Sequence, residues 1–394
     1  MAHQSVCRGS EWNSKLYRQY FLASATLAIF ASLLIAAYSF LVDPYAMYKP
    51  VAGFESGKKT DLFYHLRLHK PYAMESRKAT HLIIGSSRSA RLNPDIFGED
   101  GYNASMPGIR LREVRRLIEH AQAIRPLRSL YIGLDYYMFR GTQTGLTSHY
   151  SDDRLRKISP SVIDVLSHWI QMIKDGWSAL FSVDAILASA DVVGGIEGSQ
   201  RIYHDNGTWT GVITDKPPKW LYSYVNRHKM DEFKSEVGKP TLAEFEKLLE
   251  FARDHKVPTT ILISPFHASV MNTVRLADRW DAYLSWQRSI VAAVERTGGD
   301  VEVFGIETSR DVIMERMEEE RPFFIDGVHY NLAAGREIMN CLAGFECDKK
   351  IRLVPLTLES IDQYLQGVDA LMKLYPEQCS NDYNSLLKWL DKIE

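Results

Sequence analysis

The sequence predicts an α/β fold: a three-layer α/β/α sandwich on a parallel sheet, preceded by one transmembrane helix. Three observations carry this expectation. Short apolar runs at residues 81–84, 100–105, 129–135, 258–264 and 301–306 have the length of strands and end at turn-forming residues. Between them, longer stretches repeat their apolar residues at helical spacing, and strands alternating with helices form a parallel sheet covered on both faces. Ahead of all of these, residues 19–42 hold no charged side chain.

In chain order, residues 1–18 form a tail ending with Lys15 and Arg18. The uncharged run 19–42, filled by Leu22, Leu27, Ile29, Phe30, Leu33, Leu34 and Ile35, is long enough at about 1.5 Å per residue to cross a hydrocarbon core of about 30 Å. Tyr17, Tyr20, Tyr38 and Tyr45 stand near its ends, where interfacial aromatics sit. A cleaved signal peptide has a shorter apolar core and an A-x-A-like end, which Ala36-Ala37-Tyr38-Ser39 matches poorly, so an uncleaved anchor is expected. The short basic tail ahead of a long domain places the N-terminus in the cytoplasm, although Lys49, Lys58 and Lys59 follow on the other side. Residues 43–79, punctuated by Pro44, Pro50 and Pro71, read as a juxtamembrane linker packing onto the domain.

The main domain is expected over residues 80–350. Leu82, Ile83 and Ile84 are broken by Gly85, a buried strand meeting a tight turn, and Ser86 or Ser87 would then stand at the rim of a sheet. Loops at the carboxyl ends of strands share one crevice. Behind the turn Met106-Pro107-Gly108, the residues Ile109, Leu111, Val114, Leu117, Ile118 and Ala121 mark an amphipathic helix, and helices at 242–255 and 273–296 precede the fourth and fifth strands. The stretch 140–240 is too long for a loop. It leaves the sheet from the carboxyl end of a strand, so it is expected above the crevice, shaping the substrate site. Its first part is helical, with Val162, Val165, Leu166, Trp169, Ile170 and Ile173 on one face, and its second part, 192–218, is rich in Gly, Asp and Pro. Residues 351–394 carry C-terminal helices whose stripes, Leu358, Ile361, Leu365, Val368 and Met372 among them, read as core-facing.

Composition bounds the function. With 394 residues, 45% hydrophobic and 24% charged, the chain has an ordinary globular make-up. A net charge of −2 without a basic stripe argues against nucleic acid as a partner. Cys7, Cys341, Cys347 and Cys379 lack zinc-ligand spacing, so no metal is expected. Two of the last three would pair in an oxidising compartment, and buried thiols are the alternative. His65 and His69, four apart, lack a third ligand and read as surface histidines. No phosphate or dinucleotide fingerprint follows any strand, so no cofactor is expected.

The chemistry concentrates in PFFIDGVHYN at 322–331. Asp326 and His329 stand three apart after an apolar run, so the carboxylate can hold the imidazole Nδ1 hydrogen and leave Nε2 for a serine. A serine hydroxyl is a weak nucleophile unless a base takes its proton during attack. Arg88 and Arg91 could grip an anionic group, His267 follows the fourth strand at the carboxyl edge, and Tyr136 and Tyr137 stand where they could line a pocket.

An early strand-turn serine in HLIIGSSRSAR and a late Asp-x-x-His resemble the SGNH, or GDSL-type, hydrolase superfamily, over residues 81 to 342. By that resemblance Ser87 is the nucleophile, Ser86 departs from the usual acid, and Asp326 and His329 complete a triad. The resemblance also makes Gly108 the second-block glycine, whose amide would form an oxyanion hole with the amide of Ser87. Asp135 stands where the superfamily has an asparagine, and an ionised carboxylate there would repel an oxyanion; Asn103 could donate instead, or the hole has two donors. The GSSR block, single anchor and large insertion resemble the cell-envelope branch, which includes D-alanyl and polysaccharide O-acetyl transfer proteins. The resemblance implies a bacterial membrane protein with an extracytoplasmic domain. It further implies esterase or O-acyltransferase action on an acylated envelope polysaccharide through an acyl-Ser87 intermediate, with a membrane acyl-donor protein as a partner. The rival expectations are an inactive scaffold and a glycan-binding component of an envelope assembly.

Overall fold

The structure, a computed structural model, describes residues 5–48, 53–54, 59–141, 143, 145–195, 201–211, 225–226, 230, 233, 237–316 and 323–393. Residues 1–4 of the expected tail, parts of the expected linker and insertion, and Pro322 lie outside the described residues.

Helix α1 (Ser5–Val42) contains one stretch, Ser14–Val42, long and apolar enough to cross a membrane. Leu27, Phe30 and Leu33 on it are exposed, unlike the side chains of a core helix. It stops at Asp43, which takes a positive φ of 47° and turns its carboxylate back onto the backbone N–H groups of Met47 and Tyr48. Lys59 Nζ lies 3.4 Å from that buried carboxylate. The expected linker is partly helix: a 3-10 turn (Thr60–His65) leads into α2 (Leu66–Arg77), whose Leu66, Lys70, Tyr72 and Met74 are buried. His69 sits at 2.9 Å from the Ala46 carbonyl, which ties α2 to the end of α1.

The sheet begins with β1 (His81–Ile84), β2 (Gly101–Asn103), α3 (Leu111–Ile124) and β3 (Ser129–Leu134). An insertion then carries α4 (Val162–Phe181), α5 (Val183–Gly194) and a hairpin of β4 (Arg201–Tyr203) and β5 (Trp209–Gly211). The core resumes with α6 (Lys239–Asp254), β6 (Thr259–Ile263), α7 (Ala268–Leu276), α8 (Trp280–Thr297), β7 (Val301–Gly305) and the short α9 (Arg310–Ile313). It ends with α10 (Leu332–Leu342), β8 (Val354–Pro355), α11 (Ile361–Gln378) and α12 (Ser380–Ile393). The sheet order is β2-β1-β3-β6-β7-β8. Leu82 pairs with Tyr102 on one side and Leu130 on the other, and Ile132 lies between Ile84 and Ile261. These strands are buried on both faces, which explains their unbroken apolar runs. Helices flank the sheet: α3 packs on α6 and α6 on α8, while α7 packs on α11 and α12.

Two expectations change. The sheet is mixed, because β8 runs antiparallel to β7 at the edge, and a two-residue strand that includes a proline leaves no pattern to read. The single helix expected over 273–296 is two, broken where Asp278 takes a φ of 56°.

The insertion leaves and returns at one point, since Arg140 and Val237 form an antiparallel bridge. A Cβ on Gly238 would lie 2.5 Å from the Gly141 Cα, so the two strands of this stalk touch backbone to backbone. Among the described residues the insertion reaches the crevice through Trp209, Met230 and Phe233; the expected apolar face of α4, including Leu166, Trp169 and Ile173, is exposed. What α4 turns inward is mostly polar: Asp175 accepts from Tyr72 Oη at 2.8 Å and pairs with Arg154, and His168 is buried, with Ala179 the apolar exception.

Candidate active site

In the order β2-β1-β3 the chain steps from β1 to one neighbour and then crosses to the other side. The carboxyl ends of β1 and β3 therefore flank a topological switch point, where open α/β sheets leave a crevice. Residues following β1, β2, β3 and β6 meet there: Ser86, Ser87 and Arg88; Pro107 and Gly108; Tyr136 and Tyr137; Phe266 and Val270. Val328 and His329 close one side, and the insertion supplies Trp209, Met230 and Phe233, enclosing a cavity of about 370 Å³.

The turn after β1 is set by close approach. A Cβ on Gly85 would lie 2.4 Å from Ser89 Oγ and 2.6 Å from the Gly133 carbonyl, and a Cβ on Gly133 would lie 1.8 Å from Ser89 Oγ. Both glycines therefore let Ser89 lodge between the ends of β1 and β3. The two candidate serines separate clearly. Ser86 is buried and its Oγ accepts from the Arg88 N–H at 3.1 Å, a local turn contact. Ser87 Oγ instead lies 2.8 Å from His329 Nε2.

His329 is positioned from behind. Its Nδ1 lies 2.7 Å from Asp326 Oδ2, and since a carboxylate only accepts, Nδ1 carries the hydrogen and Nε2 is the acceptor facing Ser87. Asp326 Oδ1 accepts from the backbone N–H groups of Val328 and His329 at 2.8 and 2.7 Å. The loop closes on itself through the His329 carbonyl, which accepts from Ile325 N–H at 2.8 Å. Burial pushes the Asp326 carboxyl up, but the imidazole and the two backbone donors outweigh it and hold Asp326 below its ordinary value. Burial holds His329 below the ordinary imidazole value against the pull of Asp326, and Arg91 and Arg88 push the same way. The histidine is thus kept neutral and able to accept a proton.

Gly108 lines the cavity with a φ of 64°. Neither its backbone N–H nor that of Ser87 donates to another group among the described residues. Asp135 is fully buried behind the pocket wall, and Arg88 Nη1 lies 2.9 Å from its Oδ1. Its charge is therefore paired rather than aimed at the serine. The Arg88 guanidinium also lies 3.9 Å from the Phe266 ring centroid. Arg91 does not line the cavity: its Nη1 donates to the Ser87 carbonyl at 3.1 Å and its guanidinium lies over the Trp209 ring.

Two candidates are corrected. Asn103 is not an oxyanion donor, because its Nδ2 donates to the carbonyls of Ser89 and Leu92 at 2.7 and 2.8 Å and its Oδ1 accepts from Ser105 N–H. It fastens the segment after Ser87 to the end of β2. His267 does not face the crevice; it caps α7 by accepting from Ser269 N–H, and its Nε2 meets the Glu315 carbonyl at 2.9 Å. Burial lowers its pKa to about 4.

Sequence reading missed the apolar wall: Trp209, Met230, Phe233, Phe266 and Val328. One signal was present for Trp209, since Asn206-Gly207 is a strong hairpin turn and would have placed it on a strand. Among the described residues no group of His, Cys, Asp or Glu is placed to hold a metal ion. No protein-family model matches the sequence, and no curated protein is significantly similar to it.

Proposed function

We propose that the chain is a membrane-anchored serine esterase or O-acyltransferase of the SGNH type, acting on acyl groups of a bacterial envelope polysaccharide outside the cytoplasmic membrane. The observation that carries this reading is the relay Ser87 Oγ to His329 Nε2 at 2.8 Å and His329 Nδ1 to Asp326 at 2.7 Å. It lies at the switch point of the sheet and opens into a cavity with an apolar wall suited to an acyl chain.

In the proposed reaction Ser87 Oγ attacks the acyl carbonyl carbon while His329 Nε2 takes the hydroxyl proton, and Asp326 stays ionised and stabilises the imidazolium. The N–H groups of Ser87 and Gly108 would receive the negative oxygen of the tetrahedral intermediate. Collapse expels the alcohol oxygen, which takes the proton from His329 and leaves an acyl-Ser87 ester. Water or a sugar hydroxyl then attacks the ester, giving its proton to His329, and Ser87 regains a proton on release. The N-terminal tail of α1 lies in the cytoplasm on this reading, and a membrane acyl-donor protein is the partner that would load Ser87.

The scaffold reading draws on the Asp135 departure and on the C-terminal helices outside the resemblance. The pairing of Asp135 with Arg88 and the short Ser87–His329 contact favour the enzyme instead. The test is labelling of the full chain with a fluorophosphonate: the wild type should be labelled at Ser87 and Ser87→Ala should not, with acetylesterase activity lost in parallel. Undiminished labelling of Ser87→Ala would sink the assignment.

A further inference from the structure

Helix α4 is built inside out. The side it turns to the protein carries His168, Gln171 and Asp175, with Asp175 held by Tyr72, Gln171 and Arg154. The side it turns outward carries Ile163, Leu166, Trp169, Ile173 and Trp177, and Ile163 is 75% exposed. A water-facing helix of a globular domain has the opposite arrangement. Helix α5 continues the surface with Leu187, 58% exposed, after a bend of 55° from α4, and the pair together is apolar enough to match a broken membrane span. Lys174 and Asp184 are the exposed charged side chains on the two helices. Lys174 is long enough to reach a headgroup layer from an apolar surface.

The position of this surface says what covers it. Both helices pack against α1. The contact is at the far end of α1: Tyr45, just past the helix, is buried with Ala179, Ala185 and Ala188, and a Cβ on Gly176 would lie 3.3 Å from Tyr48 Oη. The exposed apolar side chains of α4 and α5 therefore continue the exposed apolar surface of α1 at the level where the chain leaves it. Trp169 and Trp177 stand on that surface, the residue type that favours the headgroup boundary.

We infer that α4 and α5 form a second membrane element, a bent helix pair whose outer face is buried in the lipid surface beside α1. It follows that the globular domain rests against the bilayer rather than hanging from a flexible tether. The inference depends on α1 being a membrane-spanning anchor. An apolar face of this size in water would invite association. Burial in the headgroup and acyl boundary uses its area as an in-plane amphipathic helix does.

The test uses the full chain in phosphatidylcholine vesicles, with Cys7→Ser as background and a nitroxide attached at Ile173→Cys, Trp177→Cys, Leu187→Cys, Leu33→Cys or Leu358→Cys. These five positions are exposed, so the substitutions leave the core intact. The expected result is that labels at 173, 177 and 187 relax faster with oxygen than with a water-soluble nickel chelate, as at 33, and that 358 does the reverse. A chelate response at 173, 177 and 187 like that at 358 overturns the inference, as does a low response to both agents, which means protein covers the face. A chelate response at 33 overturns the anchor reading itself. Independently, acyl-brominated lipid should quench the unlabelled protein's fluorescence, and the double variant Trp169→Phe/Trp177→Phe should lose much of that quenching; unchanged quenching counts against burial of α4 and α5 in lipid.

Discussion

Ser86 and Ser87 are adjacent and chemically identical, yet one hydroxyl closes a turn onto the Arg88 N–H and the other meets His329 Nε2. The choice is made by backbone direction after Gly85, which no residue type reveals. The Asp326 and His329 pair was legible because its geometry is local: three residues of separation place the carboxylate under Nδ1. Arg88 and Asp135 are 47 positions apart, so their pairing had no local trace, and Asp135 read as a defect of the oxyanion hole. Asn103 and His267 were legible as residues at strand ends, but the partners that turn them away from the crevice were not. A pH prediction belongs at this scale. His329 must be neutral to accept the Ser87 proton, and its pKa lies below the ordinary imidazole value, chiefly through burial. Activity should therefore rise with pH through a midpoint below about 6.5 and stay flat above it. Asp326→Asn removes the charge that stabilises the imidazolium, so the acid limb should move to still lower pH and the plateau fall by about 10²–10⁴-fold. A pH–rate profile with an unmoved limb and a plateau within threefold of wild type, roughly 0.7 kcal/mol, would leave Asp326 without the orienting role.

Among the elements, the β4–β5 hairpin brings Trp209 to the wall of the site from outside the sheet. Lys70 Nζ, buried beneath it, donates to the Asn103 and Gly207 carbonyls at 2.6 and 2.7 Å, and Asn103 N–H donates to the Asn206 carbonyl. Burial lowers the Lys70 pKa to about 7, with Arg77 adding to the effect. The rings of Tyr102 and Tyr203 and the two carbonyls compensate its ammonium form. This latch holds Trp209 against Arg91 and beside His329. Gly207 is indispensable to it: its φ is 86°, and a Cβ there would lie 2.1 Å from the Asn103 carbonyl oxygen. Gly207→Ala should cost about 1–3 kcal/mol of stability. By displacing Trp209 it should also slow fluorophosphonate labelling of Ser87 by roughly tenfold, about 1.4 kcal/mol. Thermal unfolding and labelling rates check both, and wild-type values for the pair would mean the hairpin does not build the pocket. Helix α4 shows the limit of periodicity at this scale. The spacing of Val162, Leu166, Trp169 and Ile173 correctly marks a helix with an apolar face. Periodicity contains no term for which medium that face meets, and the buried partners of Asp175 decide it.

At the scale of the whole molecule, one sheet order and one bond connect the site to its compartment. The parallel strands follow from buried apolar runs separated by helices, which is why the core was the most legible part of the chain, while their order, β2-β1-β3-β6-β7-β8, came only with the structure. The insertion was the least legible, because its apolar helix face is exposed rather than turned to the core. Cys341 and Cys347 are joined at the end of α10, the helix that follows His329, while Cys379 is a buried thiol. The sequence left that pairing open because three cysteines allow three choices. A disulfide persists in an oxidising compartment and is reduced in the cytosol, so its presence is tied to the proposed placement of the domain outside the membrane. In membranes from expressing cells, denatured without reductant, a thiol reagent should modify Cys7 and Cys379 and leave Cys341 and Cys347 intact until reductant is added. Removing the bond with Cys341→Ser/Cys347→Ser releases a loop of sequence separation 6, and the chain-entropy effect of so short a loop is about 2 kcal/mol. The denaturation midpoint should fall accordingly, while labelling of Ser87 at low temperature persists, because α10 is still held by Ile338 and Met339 in the core. Modification of Cys341 and Cys347 before reduction would place this face of the domain in a reducing compartment, and the envelope substrate would go with it.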